Sequence, residues 1–174
     1  EGDGKGKRIL NPVTEVTMDE NSYMEMEMVQ IKGVDSTQRM TKADLAAGAK
    51  LIIRERLLTH GDQHAESGFV VNLNGEDSSA NVISRSVAKN NSTQVFNAEI
   101  NGNAKCAGHS ECDAIIMDHA KISAIPKIVA NDIDAALIHE AAIGKIAGEQ
   151  LIKLMTLGLT EEEAEEMIIS GFLK

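Results

Sequence analysis

The chain has 174 residues, with 17 lysines and arginines against 27 aspartates and glutamates, which gives a formal net charge of −10. At roughly 150 residues per domain, this length predicts one domain with a substantial core. One tyrosine, three phenylalanines and no tryptophan argue against sugar or single-stranded nucleic-acid sites, because both use aromatic platforms. The negative charge opposes binding to phosphate backbones and anionic lipid. We therefore expect no nucleic acid and no membrane as partners.

Cysteine usage and the first residues bear on the cellular compartment. Cys106 and Cys112 are the only cysteines, too few for a disulfide-stapled secreted domain. No apolar run approaches the ~18 residues of a membrane span. Residues 1–8 contain neither an initiator methionine nor a signal-peptide core. We expect a cytoplasmic protein, present as a fragment or a trimmed chain.

The first element in chain order is a strand over residues 22–29. Polar and apolar side chains alternate there, which is typical of a half-buried strand. Met24, Met26 and Met28 share one face, and Glu25 and Glu27 share the other. A methionine stripe can bind soft metals, but it is more often core, and we interpret it as core.

Short apolar runs separated by turn-forming residues fill the middle of the chain, which predicts a succession of short strands. An Ala-Lys-apolar phrase recurs at 49–51, 104–106 and 120–122. Spacings of 15 and 16 residues between such phrases suit partial coils of a parallel β-solenoid, while regular turns also suit an antiparallel sandwich. We favour the solenoid, although the spacing leaves both open. The apolar runs lie at 51–53, 57–58, 69–71, 82–83, 95–96, 114–117, 127–129 and 136–138.

Two helices are predicted after residue 144. Gly158 is placed to end the first, which covers 149–157, and Thr160 with Glu163 forms a capping box for the second. We therefore divide the chain into a β-helix core, residues 1–143, and a helical segment, residues 144–174. The apolar faces of the two helices comprise Leu151, Leu154 and Met155, and then Ala164, Met167 and Ile168.

Reactive side chains are densest around Cys106, His109 and Cys112. Thiolate and imidazole are ligands that soft metals accept, but a closed zinc site needs a second pair of ligands. On an extended strand the two thiols share one face and His109 points oppositely. We interpret Cys106 as a buried core thiol, and Cys112 remains a candidate.

A second candidate is the charged pair His139-Glu140 inside an apolar strand. Such a pair must be satisfied by partners or be functional. Neighbouring strand residues face opposite ways, so His139 and Glu140 line one pocket only if the chain bends. No second histidine completes a zinc-protease motif, and Gly144-Lys145 lacks the hydroxyl residue that a phosphate loop needs.

An ordered series of motifs runs along the chain. The motifs are GVDSTQR at 33–39, GHSECDAII at 108–116, IP at 125–126, LIHEAAIGKI at 137–146, GEQL at 148–151, GLTEEEA at 158–164 and IISGF at 168–172. This series closely resembles the C-terminal half of the SufB/SufD family, and the resemblance covers essentially the whole chain and is densest after residue 108.

The resemblance implies a right-handed parallel β-helix followed by a small α-helical hairpin. It implies a non-enzymatic scaffold of the SUF system, on which iron–sulfur clusters are assembled with the ABC-type ATPase SufC. Residues 148–172 match the region that docks this ATPase, so its binding residues are expected among Leu151, Leu154, Met155, Glu163 and Met167. The SufB branch has a cysteine at the position of Cys112 and His-Glu at 139–140, so the chain is SufB-like.

These matches predict a transient iron–sulfur cluster with Cys112, His139 and Glu140 as ligands. Cluster iron prefers thiolate, and histidine or carboxylate can replace it. One chain supplies few ligands, so we expect a homodimer, or a dimer with a SufD-like paralogue, with the cluster at the interface. The alternatives are a structural SufD-like partner of the ATPase, which would not need Cys112, and a β-solenoid carbohydrate-active enzyme, which the scattered aromatics disfavour.

Overall fold

The computed structural model describes residues 6–31 and 33–174; residues 1–5, the start of the predicted β-helix core, and Lys32 lie outside the description. Eleven strands precede two helices within the described residues. The strands are β1 (Ile9–Leu10), β2 (Val13–Met18), β3 (Tyr23–Gln30), β4 (Ser36–Leu45), β5 (Lys50–Thr59), β6 (His64–Leu73), β7 (Ser79–Ala88), β8 (Thr93–Gly102), β9 (Ala107–Ile116), β10 (Lys121–Ala130) and β11 (Ala136–Gly144), and the helices are α1 (Gly148–Thr156) and α2 (Glu161–Phe172).

The strands wind into a parallel β-solenoid with two sheets. One sheet has the order β1-β4-β6-β8-β10, with β2 also paired to β4, and the other has the order β11-β9-β7-β5-β3. Ser36 pairs with His64 and His64 with Thr93, so one coil takes 28 or 29 residues. Each coil contributes one strand to each sheet, so the spacings of 15 and 16 residues correspond to half a coil. The solenoid prediction is confirmed and the antiparallel sandwich is wrong.

The core is the interior between the two sheets. Alternate residues of each strand point inward and stack on the residue in register from the next coil. Phe69 and Phe96 meet there with ring centroids 5.7 Å apart. Met24 and Met28 pack against the same core, which confirms the interpretation as core for these two residues of the stripe, and Met26 is half-buried.

The corners of the coils are held by stacked turn residues. Gly61, Asn90 and Asp118 lie above one another with φ of 59°, 61° and 56°, a left-handed conformation that glycine, asparagine and aspartate tolerate best. The Gly61 N–H donates to Asn90 Oδ1 at 3.0 Å, and the Asn90 N–H donates to Asp118 Oδ2 at 2.8 Å. The turn residues therefore link successive coils as well as reversing the chain.

The helical segment largely follows its sequence signals. Gly158 has φ +97° directly after α1, and the capping box between Thr160 and Glu163 is present. The predicted apolar face of α2 is partly wrong, because Ala164 and Ile169 are its buried residues and Met167 is 53% exposed. Ile169 faces the β-solenoid across a cavity of about 800 Å³, which turns Met167 toward solvent. Neither helix in the described part of the chain is long and apolar enough to cross a bilayer.

Candidate functional site

Cys112 lies on the inner face of β9, near the last coil. The side chain is 1% exposed and forms no disulfide. Burial, with the negative charges of Glu55 and Asp113 adding to it, raises the pKa of the thiol to about 12. The thiol is therefore protonated near neutral pH. It becomes a thiolate ligand only when an incoming metal or an opening of the coil offsets that cost.

His139 lies on the same inner face, on β11, which is the neighbour of β9 in the sheet. In the pairing of β11 with β9 it is opposite Ser110, and Ala141 is opposite Cys112. Both ring nitrogens of His139 and the Ser110 hydroxyl are shielded from solvent and have no hydrogen-bond partner among the described residues. Burial, with His109 nearby, lowers the pKa of the His139 imidazole. A neutral imidazole without partners costs stability, and its unused nitrogens lie on the same face as the thiol.

Glu140 lies on the opposite face of β11. It is paired with Glu111 of β9, and its side chain is 67% exposed, with Oε2 3.6 Å from His109 Nε2. The structure thus places Cys112 and His139 on the same inner face, two register positions apart, and holds Glu140 on the outer face. This follows the alternation rule for a straight strand, and the ligand role of each residue stays a prediction.

Cys106 is buried and free, which agrees with its interpretation as a core thiol. Burial raises the pKa of this thiol. The Cys106 sulfur packs against Gly102, where a Cβ atom added to the glycine would lie 3.1 Å from Cys106 Sγ. Cys106 therefore fills space between the sheets and serves as a natural comparison for Cys112.

A buried charged group that the sequence analysis missed lies behind Cys112. Glu55 of β5 is in register with Ser84 of β7, and Ser84 is in register with Cys112. The carboxylate is 2% exposed and accepts hydrogen bonds from the Ser67 and Ser84 hydroxyls, with Arg39 Nη1 3.5 Å away. Burial raises the pKa of Glu55 above its ordinary value. The sequence pattern could have located Glu55, because Leu51 and Ile53 point inward and the alternation along a strand then places Glu55 on the inner face as well.

The known proteins that the chain resembles point to one family. Residues 5–172 match the family model described as "SUF system FeS cluster assembly, SufBD core domain". The chain belongs to the SufBD family. The description of this family model names iron–sulfur cluster assembly by the SUF system.

Several curated SufBD relatives align over nearly the whole chain. An iron–sulfur cluster assembly SufBD family protein of Methanocaldococcus jannaschii is 32% identical over 170 residues, which is 97% of this chain and 54% of that protein. The iron–sulfur cluster assembly protein SufB of Bacillus subtilis is 32% identical over 173 residues, 95% of this chain and 37% of that protein. The chain thus spans about half, or less, of the length of these relatives.

The last coil of this SufBD chain ends in two free strand edges. Within the described residues, β10 and β11 are the terminal strands of their sheets, and nothing pairs with their outer edges. Large apolar side chains are exposed around them, a combination typical of protein interfaces. These residues are Ile125, Ile128, Ile133, Ile138 and Ile143.

The helices carry a second exposed apolar surface. Of the residues predicted to bind the ATPase, Leu151 and Leu154 are half-buried, whereas Met155 and Met167 are exposed. The sequence analysis missed Ile152 and Leu157, which are also exposed. Glu163 is engaged in its own helix cap, where the hydrogen bonds from Thr160 lower the pKa of its carboxyl. The exposed apolar side chains of the helices, rather than Glu163, present a free surface.

Proposed function

We propose that this SufBD chain is a scaffold that holds a nascent iron–sulfur cluster at a subunit interface and docks a SufC-type ATPase through α1 and α2. Cys112, His139 and Glu140 are the proposed ligands. The observation that carries the proposal is the buried His139 imidazole, which lies on the same inner face as Cys112 and has no hydrogen-bond partner among the described residues. Both cysteines are free, in keeping with a reducing compartment such as the cytoplasm.

The chemistry of the donor set suits a cluster that must be released. One thiolate gives strong binding to iron, while imidazole and carboxylate bind it differently and change its potential. The high pKa of Cys112 means that cluster binding must displace a proton. A sparse set with one costly thiolate holds its cargo less tightly than four cysteines would.

We place the subunit interface at the free edges of β10 and β11. Glu140 and His139 lie on the outer and inner faces of the terminal strand β11, and Cys112 lies one strand in, on the inner face of β9. A subunit packed against this end can meet both faces, so it can complete a ligand set that one chain leaves divided. We take the partner to be a second copy of this chain, with a SufD-like paralogue as the other outcome.

Cys112→Ser should abolish most of the cluster loading. The chain would be incubated anaerobically with ferrous iron and sulfide, and visible absorbance and bound iron and sulfide would be measured. Cys106→Ser is the matched control, because Cys106 is also free and buried but lies just before β9 begins. Equal loading in wild type and Cys112→Ser would contradict the ligand assignment. No loading in wild type, with ATPase binding retained, would favour a structural SufD-like role.

The double substitution Met155→Glu with Met167→Glu should weaken binding of a SufC-type ATPase at least tenfold. Both side chains are exposed on the helical segment, and a charge in an apolar interface costs more than about 1.4 kcal/mol, which is a factor of ten. Affinity would be measured by titration of the purified proteins. Val13→Glu is the control, since Val13 is exposed on β2 far along the chain from the helices. Unchanged affinity in the double variant would remove the helices as the docking surface.

A further inference from the structure

Three side chains with metal-binding atoms converge on the outer face of the last two coils. His109 and Glu111 are two residues apart on β9 and so share a face, and Glu140 is opposite Glu111 on β11. One donor atom from each residue lies within 4.8 Å of the donors of the other two. His109 Nε2 and Glu140 Oε2 are 3.6 Å apart, close to the separation of roughly 3.4 Å between ligands that bind a tetrahedral ion at about 2.1 Å.

The imidazole of His109 is held by a residue outside this group. Asn81 of β7 is in register with His109, and its Oδ1 lies 3.0 Å from His109 Nδ1. An amide oxygen can only accept, so this contact has Nδ1 as the donor, and Nε2 is the ring nitrogen that faces Glu140. This is the arrangement that orients histidine ligands in metal sites, where the second ring nitrogen donates to an oxygen.

Three carboxylates gather on this part of the outer face, because Asp113 lies two residues from Glu111 on β9 and Glu140 is opposite Glu111 on β11. Arg85 is in register with Asp113 rather than with Glu111. A divalent cation between His109, Glu111 and Glu140 would supply the missing charge directly.

We propose that His109, Glu111 and Glu140 form a binding site for a first-row divalent metal ion on the outer face of the sheet, separate from the Cys112 thiol. One imidazole and two carboxylates suit Fe²⁺, Mn²⁺, Co²⁺ or Zn²⁺, with water completing the coordination. The ion in this site has nitrogen and oxygen ligands only, because Cys112 points to the other face of β9. Glu140 is also a proposed cluster ligand, so the ion and the cluster share this carboxylate, and the outer site uses it while Glu140 stays on the outer face.

Cobalt titration tests the site, because Co²⁺ reports both its binding and its ligand type by absorbance. Wild type should bind one Co²⁺ with visible d–d bands and without the intense near-ultraviolet band of a cobalt thiolate. His109→Ala and Glu111→Gln should each weaken binding at least tenfold, and Asn81→Leu about tenfold through loss of orientation. Glu27→Gln is the matched control, because Glu27 lies in the same outer column at the far end of the sheet.

Cys112→Ser separates this site from the proposed cluster site. Cobalt affinity and spectrum should be unchanged in that variant, even where its cluster loading is lost. Circular dichroism of each variant would verify that the solenoid is folded. Cobalt binding that does not respond to His109→Ala and Glu111→Gln would overturn the site. So would absence of binding in wild type, or a thiolate band that disappears in Cys112→Ser.

Discussion

Glu55→Ala is expected to lower the free energy of unfolding by about 3–5 kcal/mol. The substitution removes the acceptor of the Ser67 and Ser84 hydroxyls and the counter-ion of Arg39, and it leaves a cavity between the sheets. Denaturant unfolding followed by circular dichroism would measure the loss. Glu27→Ala is the control, because Glu27 also pairs with an arginine but at the surface, where such a pair contributes less than about 1 kcal/mol. Equal losses in the two variants would refute the buried network.

Glu55→Gln separates the charge of this side chain from its size. Burial raises the folded-state pKa of Glu55 above its ordinary value of 4.5, so the folded state binds the proton more tightly than the unfolded state. The resulting stability is fully present below pH 4.5 and is lost as the pH rises through the folded-state pKa. Glutamine does not titrate, so the unfolding free energy of Glu55→Gln should rise relative to wild type over that window. A constant difference from acidic to neutral pH would contradict the raised pKa.

The sequence predicted strands wherever the inward positions are apolar. It therefore located β3 and each strand from β5 to β11, but it missed β1, β2 and β4. Three inward positions of β4 are polar, namely Thr37, Arg39 and Thr41, and the apolar inward residues Ala43 and Leu45 come only at its end. A polar interior gives no apolar alternation, so the strand pattern is hidden. The polar partners of Glu55 are also inward residues of the solenoid, Arg39 of β4, Ser67 of β6 and Ser84 of β7, so the polar part of the interior accounts for both omissions.

The candidate site was predictable in its residues and only partly in its arrangement. Alternation separates His139 from Glu140 without any structure, and it also places His109 and Glu111 on one face of β9. The pairing of β11 with β9 could not be derived, since register between coils depends on turn lengths. That register sets Glu140 opposite Glu111 and His139 opposite Ser110. It divides the predicted ligands between two faces and creates the outer group at the same time.

Exposed isoleucines on the terminal strands β10 and β11 are expected to hold the dimer together. The double substitution Ile125→Lys with Ile138→Lys should convert a dimer into a monomer. Both side chains are more than half exposed on the terminal strands, at 54% and 56%, and lysine on an edge strand opposes further pairing. Two interface losses of about 1.4 kcal/mol each raise the dissociation constant roughly a hundredfold. Analytical ultracentrifugation over a range of protein concentrations measures this change.

Met167→Lys serves as the control, because Met167 is similarly exposed on α2, and α2 lines a cavity with Val29 of β3 and Leu58 of β5 rather than with β10 or β11. A wild-type chain that stays monomeric at all concentrations would rule out the homodimer and leave a paralogue as the partner.

The monomeric variant also tests how the ligands are shared. If the interface completes the set, loading should fall together with dimerisation, even though Cys112 and His139 are intact. A monomer that loads iron and sulfide to wild-type levels would place every ligand within one chain, and β11 would then have to bend to bring Glu140 to the inner face.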